Sequence, residues 1–202
     1  MPFMRNYYGL TGFLFLLLGL VSCQSELDVK DIPGRVTSSI HTSGGVGKPE
    51  PDGIEHVGAR DAVLTLQLEV LAYVNEARSQ TCLCGTTVYP PVTLLTLNSR
   101  LNGAADKYAV DMATYNYFSH TGRDGSQPWD RMTVEGYIWS LAGENIAAGY
   151  PTARSVVDAW LSSTVHCQNI MNPDYRNLGV GYSYNSKSTF KHYWVTDFGT
   201  RQ

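Results

Sequence analysis

The chain has 202 residues, 43% of them apolar and 16% charged, with a formal net charge of −3. That length buries one sizeable core and leaves room for a tail. The slight acidity, with no cluster of Lys and Arg, excludes the electrostatic footprint of a nucleic-acid binder, so no nucleic-acid partner is expected.

Arg5 precedes an apolar run from Leu10 to Val21. The run is too short for a membrane-spanning helix of about 20 residues and has the size of a signal-peptide core, so residues 1–22 are expected to be a cleaved leader. The leader ends Leu20-Val21-Ser22-Cys23, which resembles the bacterial lipobox. Cys23 is therefore expected to be acylated and to become the mature N-terminus. Its acyl chains would hold the protein on a membrane, at about 0.8 kcal/mol per buried CH₂. This places the chain in the cell envelope, extracytoplasmic, facing the periplasm or the cell surface. From Gln24 to Gly58 the composition turns to Gly, Pro, Ser and Thr, the signature of a linker. Fully extended it would reach roughly 115 Å, at about 3.3 Å per residue.

The folded domain is expected over residues 59–202. Asp61 would cap a first helix running to about Ser79, with Val63, Leu66, Val70, Val74 and Ala77 as its core stripe. Residues 81–96 hold Cys82, Cys84, Gly85, Pro90 and Pro91 and cannot be regular helix. Asn98 or Ser99 caps a second helix whose core stripe is Leu101, Ala105, Tyr108, Met112 and Tyr115. Next comes YFSHTGRDGSQPWDRM, where Gly122, Gly125 and Pro128 force turns around His120. Ser126 is the expected cap of a short helix over Pro128 to Val134, with Gly136 at its end.

Residues 141–147 change character, and another helix starts near Thr152, burying Val156, Val157, Trp160 and Leu161. It runs into Ser-Ser-Thr, then His166 and Cys167, then the turn Asn172-Pro173-Asp174. Leu178, Val180 and Tyr182 then alternate with Gly179, Gly181 and Ser183, the pattern of a strand with one core face and one small or polar face. A polar turn at Asn185 to Ser188 leads to a final strand, His192 to Phe198. A histidine and a cysteine held between a helix end and a strand start are candidates for a working site.

The ordered blocks NEAR, LNGAADKYAVDM, YFSHTGRDGS, GENIAAGY, AWLSS, HCQNIMNPDYRNLGVGY and YWVTDFG resemble the CAP superfamily, also called SCP or TAPS, in its bacterial branch. The resemblance covers residues 59–202. It implies an α+β fold, a three-layer α-β-α sandwich in which a small antiparallel sheet is covered by helices on both faces. It also implies a groove to which His120, Glu144 and His166 contribute. The second acid of eukaryotic members falls on Ser163 here, so the usual tetrad is reduced to a triad. Bacterial members with a CG loop and an HC pair imply a Cys84–Cys167 disulfide that leaves Cys82 free, with Cys82–Cys167 as the close alternative.

Two imidazoles and a carboxylate can bind a divalent metal such as Zn²⁺, with His120, His166 and Glu144 as ligands. Equally, Glu144 can hold a histidine by a charge-assisted hydrogen bond. No G-x-S-x-G elbow is present to activate a serine, and the Cys167 side chain adjoins His166 too closely in sequence to face it. The expected function is a membrane-anchored, non-catalytic module that binds an apolar small molecule or a protein partner through the groove. The alternative is a metal-dependent, peptidase-like hydrolase using the same residues.

Overall fold

The computed structural model describes Cys23 and residues 53–202, with residues 53–60 described by their backbone alone. The expected leader and most of the expected linker lie outside the described residues. Helix α1 spans Gly53–Arg78, beginning eight residues before the expected cap at Asp61. This corrects the linker boundary, because its last six residues are helical. No proline lies between Pro51 and Pro90, and a helix already nucleated downstream extends backwards at little cost. Val63 is 37% exposed; burial is complete at Val70, Val74 and Ala77. Among the described residues no helix is long and apolar enough to cross a membrane.

The last turn of α1 anchors the segment that leads to α2. Asn75 pairs twice with the backbone of Leu95, Nδ2 to O at 2.9 Å and N to Oδ1 at 2.8 Å. Arg78 is wholly buried and donates to Thr93 O, Ile170 O and Asn172 O. Residues 81–96, expected as loop, contain a small hairpin of β1 (Cys82–Cys84) and β2 (Thr87–Tyr89), then β3 (Thr96–Leu97). Strands this short are below what alternation can reveal.

Helix α2 (Ser99–Tyr115) is capped by Asn98, whose Oδ1 accepts from the Arg100 and Leu101 amides. Its stripe is buried as expected except for Tyr115, which is 55% exposed. Helix α3 (Pro128–Val134) is capped at Gln127, one residue beyond the expected Ser126: the Asp130 carboxylate accepts from the Gln127 amide at 2.9 Å. Strand β4 (Trp139–Ala148) comes next, then α4 (Ala153–Ser162), capped by Thr152. His166 and Cys167 lie in a further short helix, α5 (Thr164–Ile170), which was not expected. Strands β5 (Asn177–Tyr184) and β6 (His192–Arg201) close the chain, each longer than the residue pattern suggested.

The main sheet has the order β3-β5-β6-β4, antiparallel except for the two-residue parallel pairing of β3 with β5. One face carries α1, α4 and α5 over Leu178, Val180, Trp194 and Phe198. The other carries α2 over Ile146, Tyr193 and Val195, with Met132 of α3 packing beside it. The small side of β5 is not solvated. Gly179 and Gly181 lie beneath α2, where a Cβ would run into the backbone of Leu101 and Ala105. Glycine there lets helix and strand approach closely.

Two disulfides join Cys84 to Cys167 and Cys23 to Cys82. The first ties the β1–β2 hairpin to α5. The second corrects the expectation that Cys82 is free. It also uses the sulfur expected to carry the lipid, and a sulfur in a disulfide cannot also be a thioether. In unreduced peptide maps we expect both linked pairs. Cys23→Ser should keep the Cys84–Cys167 peptide and expose one titratable thiol, Cys82; a Cys82–Cys84 peptide would contradict this assignment. Removing Cys84–Cys167 by paired Ser substitutions should cost about 4–5 kcal/mol in the chain-entropy account, read from urea unfolding.

Candidate functional site

The site is built around Glu144, in the middle of β4. Its side chain is only 1% exposed, yet both carboxylate oxygens are paired. Oε1 lies 2.7 Å from His120 Nδ1, and Oε2 accepts from Arg131 Nη2 at 2.8 Å. A carboxylate taken this far from water needs such charge-assisted partners to be tolerated. His120 comes from the glycine-rich segment after α2, and its side chain is half exposed. With Nδ1 engaged as donor to the carboxylate, Nε2 has no partner among the described residues.

Arg131 of α3 was not among the expected site residues. The same Nη2 donates to His120 O at 3.0 Å, Nη1 donates to Ser126 O at 3.0 Å, and the guanidinium sits 3.4 Å above the Tyr108 ring. It therefore positions both the histidine backbone and the glutamate. The sequence signal was thin: an arginine next to Met132 in a short helix looks like a solvated residue.

His166 reaches the site through α5. Its carbonyl accepts from Asn145 Nδ2 at 3.1 Å, while Asn169 Nδ2 donates to Asn145 Oδ1 and to Glu144 O. Those bonds dock α5 along edge strand β4, where Trp160 Nε1 also reaches Ile146 O. Burial, and then the nearby His120, push the His166 imidazole below its ordinary range, favouring the neutral ring. Ser163 links α4 to α5; its carbonyl accepts from the Cys167 amide, and its side chain makes no cap bond. Nothing bonds Ser163 to His120, Glu144 or His166 among the described residues.

A second carboxyl group is present, on the final strand, which was expected, although this residue was not among the expected site residues. Asp197 of β6 stands opposite Glu144 in the strand register and is 2% exposed. Among the described residues its Oδ1 has no partner. Burial holds its proton well above the ordinary carboxylate range, the Glu144 charge adds to this, and Arg131 opposes it. A charged residue inside the apolar strand Tyr193–Phe198 was the available signal.

The expected metal set is not formed. Among the described residues no three His, Cys, Asp or Glu side chains converge as ligands. Glu144 has both oxygens committed, and the Arg131 guanidinium 2.8 Å away would repel a dication. The residues as placed do not fit Zn²⁺. Beside these residues, a cavity of about 520 Å³ lies between α2, α3 and the 122–126 loop, with Tyr108 and Arg131 in its lining.

A three-layer α-β-α sandwich whose edge strand buries a glutamate under a half-exposed histidine is the architecture of an SCP-type domain. The chain belongs to the cysteine-rich secretory protein (CAP) family, which residues 71–198 match. It is 40% identical over 88 residues to YkwD of Bacillus subtilis, covering 44% of this chain and 34% of that relative. The chain thus spans about a third of the length of that relative. Among solved structures it is similar to an extracellular SCP-domain protein from Bacillus anthracis, with TM-score 0.58 and 25% identity, covering 78% of this chain and 45% of the other. It is also similar to an outer surface protein of Borrelia burgdorferi, with TM-score 0.50 and 25% identity, covering 55% and 80%.

Glu144→Gln should destabilise the domain by about 3 kcal/mol, because Arg131 is left buried without its counter-charge; chemical unfolding of the purified variant measures it. Asp197→Asn should do the opposite at neutral pH. The Asp197 carboxyl ionises at higher pH folded than unfolded, so the stability it contributes is present in acid and is lost as pH rises through that interval. The advantage of the Asn variant should therefore grow as pH rises above the ordinary aspartate range, about pH 4, in urea titrations at each pH.

Proposed function

We propose that this domain is a non-catalytic binding module working outside the cytoplasm, which takes an apolar small molecule or a protein partner through the groove at His120, Glu144 and His166. The supporting observation is that the acid and the nearby hydroxyl and thiol groups that could act as nucleophiles are already engaged. Glu144 is held by His120 and Arg131, the Ser162 hydroxyl donates to Asp158 O, and Cys167 is in a disulfide. Neither His120 nor His166 bonds a hydroxyl or thiol among the described residues, so an activated nucleophile is missing. The two imidazoles stand as orienting polar groups in a groove, the usual arrangement of a binding site.

An extracytoplasmic location is supported by the disulfides, which persist in oxidising compartments, and by the similarity to proteins described as extracellular and outer-surface. Acylation and the Cys23–Cys82 bond exclude each other at one sulfur. Mass spectrometry of protein from its host separates them: an acylated Cys23 comes with a Cys82 thiol, a disulfide comes with neither.

The groove reading is tested by native mass spectrometry after incubation with a lipid extract. The wild-type chain should retain a small-molecule adduct that His120→Ala and His166→Ala lose, while peptide and ester hydrolysis stay at background with and without Zn²⁺ or Mg²⁺. Robust hydrolysis abolished by His166→Ala in a folded variant would replace binding with catalysis.

A further inference from the structure

Away from the groove, the end of α2 meets the turn between β5 and β6. Asn116 closes α2 in the left-handed region (φ 53), and its Oδ1 accepts from the Thr189 amide at 2.7 Å and from the Tyr193 hydroxyl. Asn185 Nδ2 donates back to Ala113 O at 2.8 Å. This rigid junction pushes three aromatic rings outward: Tyr115, Phe118 and Phe190 are 55%, 45% and 44% exposed. The Phe118 and Phe190 rings are 6.0 Å apart, and Arg123 lies 3.5 Å over Tyr115.

Around the rings stand Arg123, Lys187 and Lys191, all exposed and none in an ion pair among the described residues. Two acids adjoin in sequence. Asp111 accepts from the Tyr117 hydroxyl, and Asp124 accepts from the Ser126 amide. These five residues sum to +1, on a chain that carries −3 overall. Lys191 also sits in the left-handed region (φ 64), where Gly or Asn folds at lower cost.

We propose that this patch docks the domain on an anionic lipid bilayer. Aromatic rings settle at the boundary between headgroups and acyl chains, and lysine and arginine near the surface are drawn to anionic headgroups. A soluble anionic polymer would satisfy the cations and leave the three rings in water; a bilayer accounts for both. The site is separate from the groove and does not depend on what the groove binds.

Hydrogen exchange of the full chain mixed with vesicles tests it, because exchange reports locally whatever the N-terminal segment does. With phosphatidylcholine–phosphatidylglycerol vesicles, amides over 113–118 and 185–191 should exchange several-fold more slowly. High salt, Lys187→Glu with Lys191→Glu, or Phe118→Ser with Phe190→Ser should each abolish the slowing while exchange in β5 and β6 stays unchanged. Equal exchange with and without phosphatidylglycerol would overturn the proposal. So would equal slowing by soluble polyphosphate, which assigns the patch to a polymer, or slowing that tracks protein concentration without vesicles, which assigns it to a second copy.

Discussion

A glutamate carboxylate inside a β-sheet is the constraint on which the site depends. Leaving a buried carboxylate unpaired costs far more than a domain's net stability, so Glu144 can exist only if cationic or N–H partners reach both oxygens. Those partners cannot come from β4 itself. They come from the glycine-rich segment bearing His120 and from Arg131 of α3. The buried charge therefore draws the irregular chain between α2 and β4 onto the sheet. Arg131, stacked on Tyr108 and bonded to the carbonyls of His120 and Ser126, is the piece that makes the arrangement rigid.

The opposite wall is held by different means. Arg78, at the end of α1, is as buried as any apolar residue, and its partners are backbone carbonyls, two of them just past or within the end of α5. A cation at a helix C-terminus is favoured by the helix dipole as well as by these bonds. Burial and the neighbouring Arg176 lower its pKa to about 10, so it remains charged at neutral pH. The Cys84–Cys167 bond holds the same helix from the hairpin side, and Asn145 and Asn169 tie it to β4. His166 is thus fixed by its backbone while its ring makes no hydrogen bond of its own among the described residues. The α5 side of the site is therefore held in position from three directions.

Helix positions with a 3.6-residue stripe were legible in advance, because Leu101, Ala105, Tyr108 and Met112 must share a face whatever surrounds them. So were the alternating core residues of β5. Elements too short to show a period were not legible: the β1–β2 hairpin, β3 and α5 are each fixed by partners far away in the chain. Exposure at element ends was misjudged for one reason. Val63 and Tyr115 continue their stripes correctly, but the sheet beneath them has ended, and periodicity carries no information about where a neighbour stops.

The chain's own residues determined that there would be one α+β domain and which faces its helices bury, and the family resemblance singled out His120, Glu144 and His166. Only the tertiary structure decided what those side chains do. Whether Glu144 is a metal ligand or a histidine's partner depends on Arg131, thirteen residues earlier on another element. Whether its surroundings hold one carboxyl group or two depends on Asp197, fifty-three residues later in the adjacent strand. Charges act through distance and the exclusion of water, and both are properties of the folded chain and not of position along it.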